Sequence, residues 1–229
     1  ERMVEVGELM LSQSGAVQLD AYSCSLMLEG LCATRGVEAA TRVLRRVLPH
    51  FQLEPHWQLY RPLLEAYMAE GDADGALRLL AEVPARCLTD SPVLYNITIK
   101  GLGRAGEWER AVVLLREMLC PPDVSTYSAL IYATGVCGGQ WELALQIFQR
   151  MSDHQIQPDE NCFTSIVGLL ARAEQWETVD AMLQQMDGLG WATAKTYNKI
   201  VGHLVRTEDY ELACQLIERM RQAGVQPDT

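Results

Sequence analysis

No apolar run in this chain of 229 residues approaches the roughly 18 that would suggest a membrane span, so insertion into a bilayer is not expected. Metal and redox signatures are missing as well. Seven cysteines, Cys24, Cys32, Cys87, Cys120, Cys137, Cys162 and Cys214, stand without a CxxC or any other paired spacing. An odd number so scattered argues against both a disulfide framework and a zinc site, and they read as reduced thiols, several in core positions. His50, His56, His154 and His203 do not pair at metal-ligand spacing, and neither an HExxH nor a Gly-rich phosphate loop is present. No Ser-His-Asp arrangement can be proposed. The expectation is of a non-catalytic chain with no metal, no other cofactor and no small-molecule substrate.

Basic charge is scarce. Lys and Arg number 19 against 30 Asp and Glu, a net charge of −11, which at face value is wrong for a protein that must approach phosphates. Charge acts by surface, however, and the acids gather around particular segments: Glu107, Glu109, Glu117, Glu142, Glu177, Asp180, Glu208, Asp209, Glu211 and Glu218. An array with two faces can carry these on its outer side.

What the chain has is repetition. Ala40/Val43/Leu44/Val47, Ala76/Leu79/Leu80/Val83, Ala111/Leu114/Leu115/Met118, Ala144/Ile147/Phe148/Met151, Val179/Met182/Leu183/Met186 and Ala213/Leu216/Ile217/Met220 repeat one spacing. Residues at i, i+3, i+4 and i+7 share one face of an α-helix, and recurrence at intervals of about 35 residues marks a stacked array. A second apolar segment precedes each of the later sets: Tyr95/Ile99/Leu102, Tyr127/Leu130/Ile131, Phe163/Ile166/Val167/Leu170 and Tyr197/Ile200/Val201/Leu204. Short breaks such as Arg104-Ala105-Gly106 and Arg206-Thr207-Glu208 leave only an antiparallel helical hairpin as the unit.

Punctuation agrees with the period. Pro122-Asp123, Pro158-Asp159 and Pro227-Asp228 close three units, the proline ending one helix and the aspartate suited to cap the next. The units then run 21–56, 57–91, 92–123, 124–159, 160–193 and 194–228, in a single array. Met3, Val6 and Met10 in 1–20 read as the second helix of a partial leading unit, and Thr229 as the start of another. The third unit is about three residues short, and the fourth has one extra residue in Cys137-Gly138-Gly139-Gln140. Beginning at Glu1 and stopping within a repeat pattern, the chain is expected to be part of a longer protein, so a missing transit segment carries no weight.

The unit endings distinguish one helical-repeat family from another. The last unit, AKTYNKIVGHLVRTEDYELACQLIERMRQAGVQPD, opens its first helix with Tyr197-Asn198, ends its second with Met220 and closes on Pro-Asp; Tyr95-Asn96, Met118 and Pro122-Asp123 repeat the pattern. This resembles the pentatricopeptide repeat family. The resemblance implies an all-α fold, a right-handed α-solenoid of stacked helix-turn-helix hairpins, in an organellar protein of the mitochondrion or plastid that binds single-stranded RNA at one nucleotide per repeat.

By that resemblance, the polar residue after the aromatic and the last residue of the unit read one base edge. The pairs are Asn96 with Asp123, Ser128 with Asp159, Thr164 with Thr193 and Asn198 with Asp228, implying a U-G-any-U core. Phosphate contacts fall to Arg104, Arg172 and Arg206, and base clamping to Val93; the equivalents Tyr22, Gln58, Ser125, Asn161 and Lys195 depart from the family's aliphatic preference. The leading pairs, Ser25 with His56 and Arg61 with Ser91, match no familiar combination.

A bland reading stands beside the sharp one at each site. Asp123, Asp159 and Asp228 also suit capping, whereas asparagine in a first helical turn usually wants a partner. Trp108, Trp141, Trp176 and Tyr210 recur just before the second helices, where hairpin packing is favoured over base stacking. Two functions follow: an RNA-binding protein in RNA processing, stabilisation or translation, or an architectural subunit holding proteins or structured RNA in an organellar ribosome or other large complex.

Overall fold

The computed structural model describes residues 21–50, 53–136 and 140–225. Met3, Val6, Met10, most of the Cys137–Gln140 turn, Pro227-Asp228 and Thr229 lie outside the described residues. The chain divides into two compact units, residues 1–126 and 127–229. All regular structure among the described residues is helical: α1 Ala21–Arg35, α2 Val37–His50, α3 Trp57–Glu70, α4 Ala73–Glu82, α5 Ala85–Thr89, α6 Val93–Arg104, α7 Trp108–Glu117, α8 Val124–Val136, α9 Trp141–Asp153, α10 Glu160–Arg172, α11 Trp176–Leu189, α12 Ala194–Arg206 and α13 Tyr210–Gln222.

Apart from α5, these alternate as first and second helices of hairpins. In the leading unit α1 packs on α2 and α3, α3 on α4 and α6, and α6 on α7; in the trailing unit α10 packs on α11 and α12, and α12 on α13. First helices therefore stack directly on first helices, which puts their free sides on one surface within each unit. The apolar stripes meet in the middle: Ala40, Leu44, Ala76, Leu79, Ala111, Ala144, Met151, Leu183 and Met186 are buried, as are Tyr95, Leu102, Phe163 and Tyr197. A fully buried Leu such as Leu59, Leu63 or Leu102 contributes about 1.5–3 kcal/mol over an exposed one.

Hairpin turns in the leading unit use glycine in the left-handed region, Gly36, Gly71 and Gly106 at φ 82°, 79° and 83°. In the trailing unit Glu174 and Glu208 hold the same place at φ 57° and 62°, where a Cβ crowds the following carbonyl. Between α4 and α6 the pattern breaks. Val83 precedes Pro84 and is extended, at φ −65° and ψ 130°, which ends α4 and starts the short α5. That insert buries Cys87 and Leu88, and the Cys87 thiol donates to the Pro55 carbonyl at 3.2 Å. Helix α7 ends at Glu117, where Met118 turns extended at φ −57° and ψ 131°, and the Leu119 N–H donates to the Tyr95 hydroxyl at 3.3 Å.

Second helices are joined by ion pairs at the repeat spacing. Arg45 meets Glu82 at 2.7 Å, Arg110 meets Asp74 at 2.6 Å, and Arg219 bonds Asp180 as well as Asp187, the latter at 3.2 Å. The exposed pairs are worth about 0–1 kcal/mol each. Arg219 and Asp187 are more enclosed, and the Tyr197 hydroxyl donates to Asp187 at 3.0 Å. Desolvation, with that hydrogen bond to Asp187, pushes the Tyr197 phenol up to about 12. One expectation fails here: Tyr210 is 60% exposed at the start of α13, so it does not pack in the hairpin interface, whereas Trp108, Trp141 and Trp176 are partly covered.

Candidate nucleic-acid interface

The sequence candidates converge where one hairpin meets the next. Asn96, in the first turn of α6, donates from Nδ2 to Asp123 Oδ1 at 3.2 Å, although 27 residues separate them. Asp123 Oδ1 also accepts the Thr126 N–H at 2.8 Å, capping α8. The Asp123 N–H donates to Thr126 Oγ1 at 3.2 Å, a reciprocal arrangement that satisfies two otherwise free amides. Thr126 Oγ1 lies 2.6 Å from Asn96 Oδ1 and 2.8 Å from Asp123 Oδ1, and its single proton serves one of them. Asn96 and Asp123 are thus held together at the surface, with one Asn96 N–H and part of the carboxylate still open. Val93, one turn back, is half-buried at the start of α6.

The trailing unit repeats the grouping. Asp159 caps α10 by accepting the Cys162 N–H at 2.8 Å, the Cys162 thiol is fully buried, and Ser128 is half-buried on α8. Burial, reinforced by Asp159, pushes that thiol up to about 12, so it is an S–H donor at neutral pH. At the next joint Thr164 Oγ1 is 3.3 Å from Thr196 Oγ1, which is 3.4 Å from Thr193 Oγ1. Thr193 makes no side-chain cap but reaches Glu160 Oε1 at 3.4 Å. Asn198 is exposed in the first turn of α12, and its sequence partner Asp228 lies outside the described residues.

Sequence reading missed the third member of each group. Thr126, Cys162 and Thr196 all stand immediately before the aromatic of the following hairpin, and that shared position was the available signal.

Charge separates by helix. Helices α6, α8, α10 and α12 carry Lys100, Arg104, Arg172, Lys195, Lys199 and Arg206, all exposed, and a single acid, Glu160. The three lysines of the whole sequence are among them. The second helices α7, α9, α11 and α13 hold Glu109, Glu117, Glu142, Asp153, Glu177, Asp180, Asp187, Glu211 and Glu218. Arg172 donates to the Gly135 carbonyl at 2.9 Å, which ties it to the end of α8 while leaving other guanidinium N–H groups available. Lys199 crosses above Gly168, where an added Cβ would fall 2.5 Å from its Cε, and donates to the Thr164 carbonyl at 3.3 Å. Desolvation, then Arg172 and Lys195, hold its pKa below the usual lysine value.

The leading candidates are built into the fold instead. Ser25 is buried and donates to the Gln58 carbonyl at 3.0 Å. Pro62, four residues beyond Gln58 in α3, has no N–H to fill that carbonyl, so Ser25 replaces the missing helical bond. His56 caps α3 through a long 3.4 Å contact from Gln58 N–H, Arg61 pairs with Glu65 at 3.6 Å, and Ser91 accepts the Val93 N–H at 3.3 Å.

Among the described residues no helix is long and apolar enough to cross a membrane, and no group of three His, Cys, Asp or Glu could hold a metal ion. Comparison with known proteins gives one answer. Models described as PPR repeat family, Pentatricopeptide repeat domain and PPR repeat match residues 90–135, 113–172 and 195–225. A chloroplastic pentatricopeptide repeat-containing protein of Arabidopsis thaliana is 25% identical over 74% of this chain and 22% of its own length. Pentatricopeptide repeat-containing protein 10 of Zea mays, chloroplastic, is 24% identical over 71% of this chain and 19% of its length. The chain spans about a quarter of the length of the curated relatives it matches first. The crystal structure of PPR10 from maize superposes with a TM-score of 0.69 at 21% identity, covering 99% of this chain and 33% of that one. PPR10 in complex with an 18-nt psaJ RNA element gives 0.66 at 21% identity, covering 99% and 32%. The fold is that solenoid of stacked helical hairpins, and with three repeat-model matches besides, the chain belongs to the pentatricopeptide repeat family.

Proposed function

We propose that this chain is a single-stranded RNA-binding protein that reads bases with its later hairpins and performs no catalysis in this region. The carrying observation is the Asn96/Asp123 pair fixed at the joint between hairpins, echoed by Thr164 and Thr193 about Thr196, beside helices whose exposed charge is almost entirely positive. Base edges need fixed donors and acceptors, and phosphates need cations within reach; both occur on first helices. In the later hairpins the acids lie mostly on second helices and turns, so α6, α8, α10 and α12 carry little negative charge to oppose RNA. Relatives bearing mitochondrial and chloroplastic names, and RNA bound to a protein of the same fold, support an organellar role in RNA processing, stabilisation or translation.

The test is fluorescence anisotropy with single-stranded RNA carrying a U-G-any-U core and a scrambled control, each repeated with Asn96→Ala plus Asn198→Ala. Preference for the core, removed by the double substitution, is the expected result. Discrimination below about threefold, roughly 0.6 kcal/mol, would count against base reading. A scaffold role in a ribosome or other organellar complex draws its own support from Ser25, which is buried against the Gln58 carbonyl and leaves the first hairpin no free reading pair. Co-purification of an intact complex that survives RNase and high salt would favour that role.

A further inference from the structure

We propose that Thr126, Cys162 and Thr196 form a third specificity-determining position, each setting the orientation of the polar pair that precedes it. The inference rests on the RNA reading above and adds residues that do not themselves meet a base. Thr126 and Cys162 are 0% exposed and Thr196 1%, so each can act only through its neighbours. They are positioning residues.

The physical argument is clearest at Asn96. A free carboxamide presents its oxygen or its NH2 to a ligand with little preference, and those two faces recognise opposite base edges. Here the amide nitrogen bonds Asp123, so the oxygen turns toward Thr126, whose hydroxyl is 2.6 Å away. A hydroxyl donating to that oxygen fixes the flip and leaves one Asn96 N–H facing outward, suited to a base carbonyl. Thr126 is itself fixed, because it accepts the Asp123 N–H and its own N–H is held by the Asp123 carboxylate. Its side chain cannot swing away without leaving the Asp123 N–H unbonded. Selectivity at this joint is therefore a property of three side chains.

The other joints vary the same device. At Thr164/Thr193 the third group is the hydroxyl of Thr196, 3.3 Å and 3.4 Å from the two partners. At Ser128/Asp159 the same position is held by Cys162, buried, with its N–H bound to Asp159 and a thiol that is a weaker donor than a hydroxyl. Ser128 is left freer to rotate, so this joint tolerates more than one base. Cys162→Thr then tightens it.

The experiment uses the full 229-residue chain and four single-stranded RNAs that place U, G, A or C opposite the Asn96 hairpin in an otherwise constant U-G-any-U core. Thr126→Val keeps shape and removes the hydroxyl; Thr126→Ser keeps the hydroxyl. Thr126→Val is expected to reduce the ratio of best to worst affinity by about 3- to 10-fold, the effect of one hydrogen bond, and Thr126→Ser to retain it. Affinity for the least favoured RNA stays within about twofold in both, which a general folding defect would not allow. Cys162→Thr should raise discrimination at its own base in a matching panel. Discrimination lost in Asn96→Ala but unchanged in Thr126→Val overturns the inference and leaves base reading intact. A wild-type chain that binds all four RNAs alike overturns both.

Discussion

The first two hairpins and the later ones use the same polar positions for opposite purposes. Ser25 turns inward to supply the hydrogen bond that Pro62 cannot make, and Arg61 is engaged along its own helix by Glu65. Asn96 turns toward the hairpin joint, where it meets Asp123 at the end of its own repeat and Thr126 at the start of the next, and Thr164 meets Thr196 in the same way. Charge follows the same division. Helix α1 carries Glu29 and Arg35, and α3 carries Arg61, Glu65 and Glu70, whereas the later first helices are almost free of acids. A repeat position is thus a place, and its role is decided by which neighbour needs it.

The comparison breaks most directly at Ser25. Ser25→Ala strands the Gln58 carbonyl in a buried setting and is expected to cost about 1–3 kcal/mol, measured by urea unfolding. If Pro62 is the reason, Pro62→Ala restores the helical donor, and adding Ser25→Ala to that background then costs less than it does in the wild type. Equal losses in both backgrounds would show that Ser25 matters for another reason.

The turns sharpen the same contrast at smaller scale. Glu174→Gly and Glu208→Gly should each stabilise the trailing unit by about 0.5–1 kcal/mol, since glycine removes left-handed strain that outweighs its added chain entropy. Gly71→Ala, at φ 79° in the leading unit, should lower stability by a similar amount. Hydrogen exchange resolved by hairpin would assign each change to its unit.

Alkaline pH gives a graded test. Tyr60 and Tyr197 are held up to about 12 chiefly by burial, so the native state keeps phenol protons that the unfolded chain releases near 10. Unfolding then releases protons, and stability should fall as pH rises from about 10 through 12. Tyr197→Phe should flatten part of that fall. In the same folded state Cys162, buried and similarly raised, should alkylate far more slowly than exposed Cys214.

Sequence alone was sufficient for the helical hairpins because their signal is local: the spacing of Ala144, Ile147, Phe148 and Met151 defines a buried stripe without knowledge of its partner. The short helix at Ala85–Thr89 was not legible, since five residues give too little period and its cause, Val83 before Pro84, reads only as a break. At the candidate interface the pairs came from resemblance, while Thr126, Cys162 and Thr196 did not emerge. Their contacts span about thirty residues and depend on stacking that no local pattern encodes. Tyr210 shows the converse: it shares a repeat position with Trp108, yet at the last described hairpin it stays exposed.

The smallest expected effect is also informative. Arg61→Ala should change RNA affinity by less than about twofold, because a surface ion pair of this kind contributes about 0–1 kcal/mol and belongs to the fold.

The division between hairpins is tested most directly by photocrosslinking a 4-thiouridine-substituted RNA with the U-G-any-U core to the chain and mapping the modified peptides by mass spectrometry. The account expects crosslinks on peptides from α6, α8, α10 and α12, around Asn96, Ser128, Thr164 and Asn198, and none above background on α1 or α3. Crosslinks concentrated on residues 21–70, or on the second helices, would contradict it.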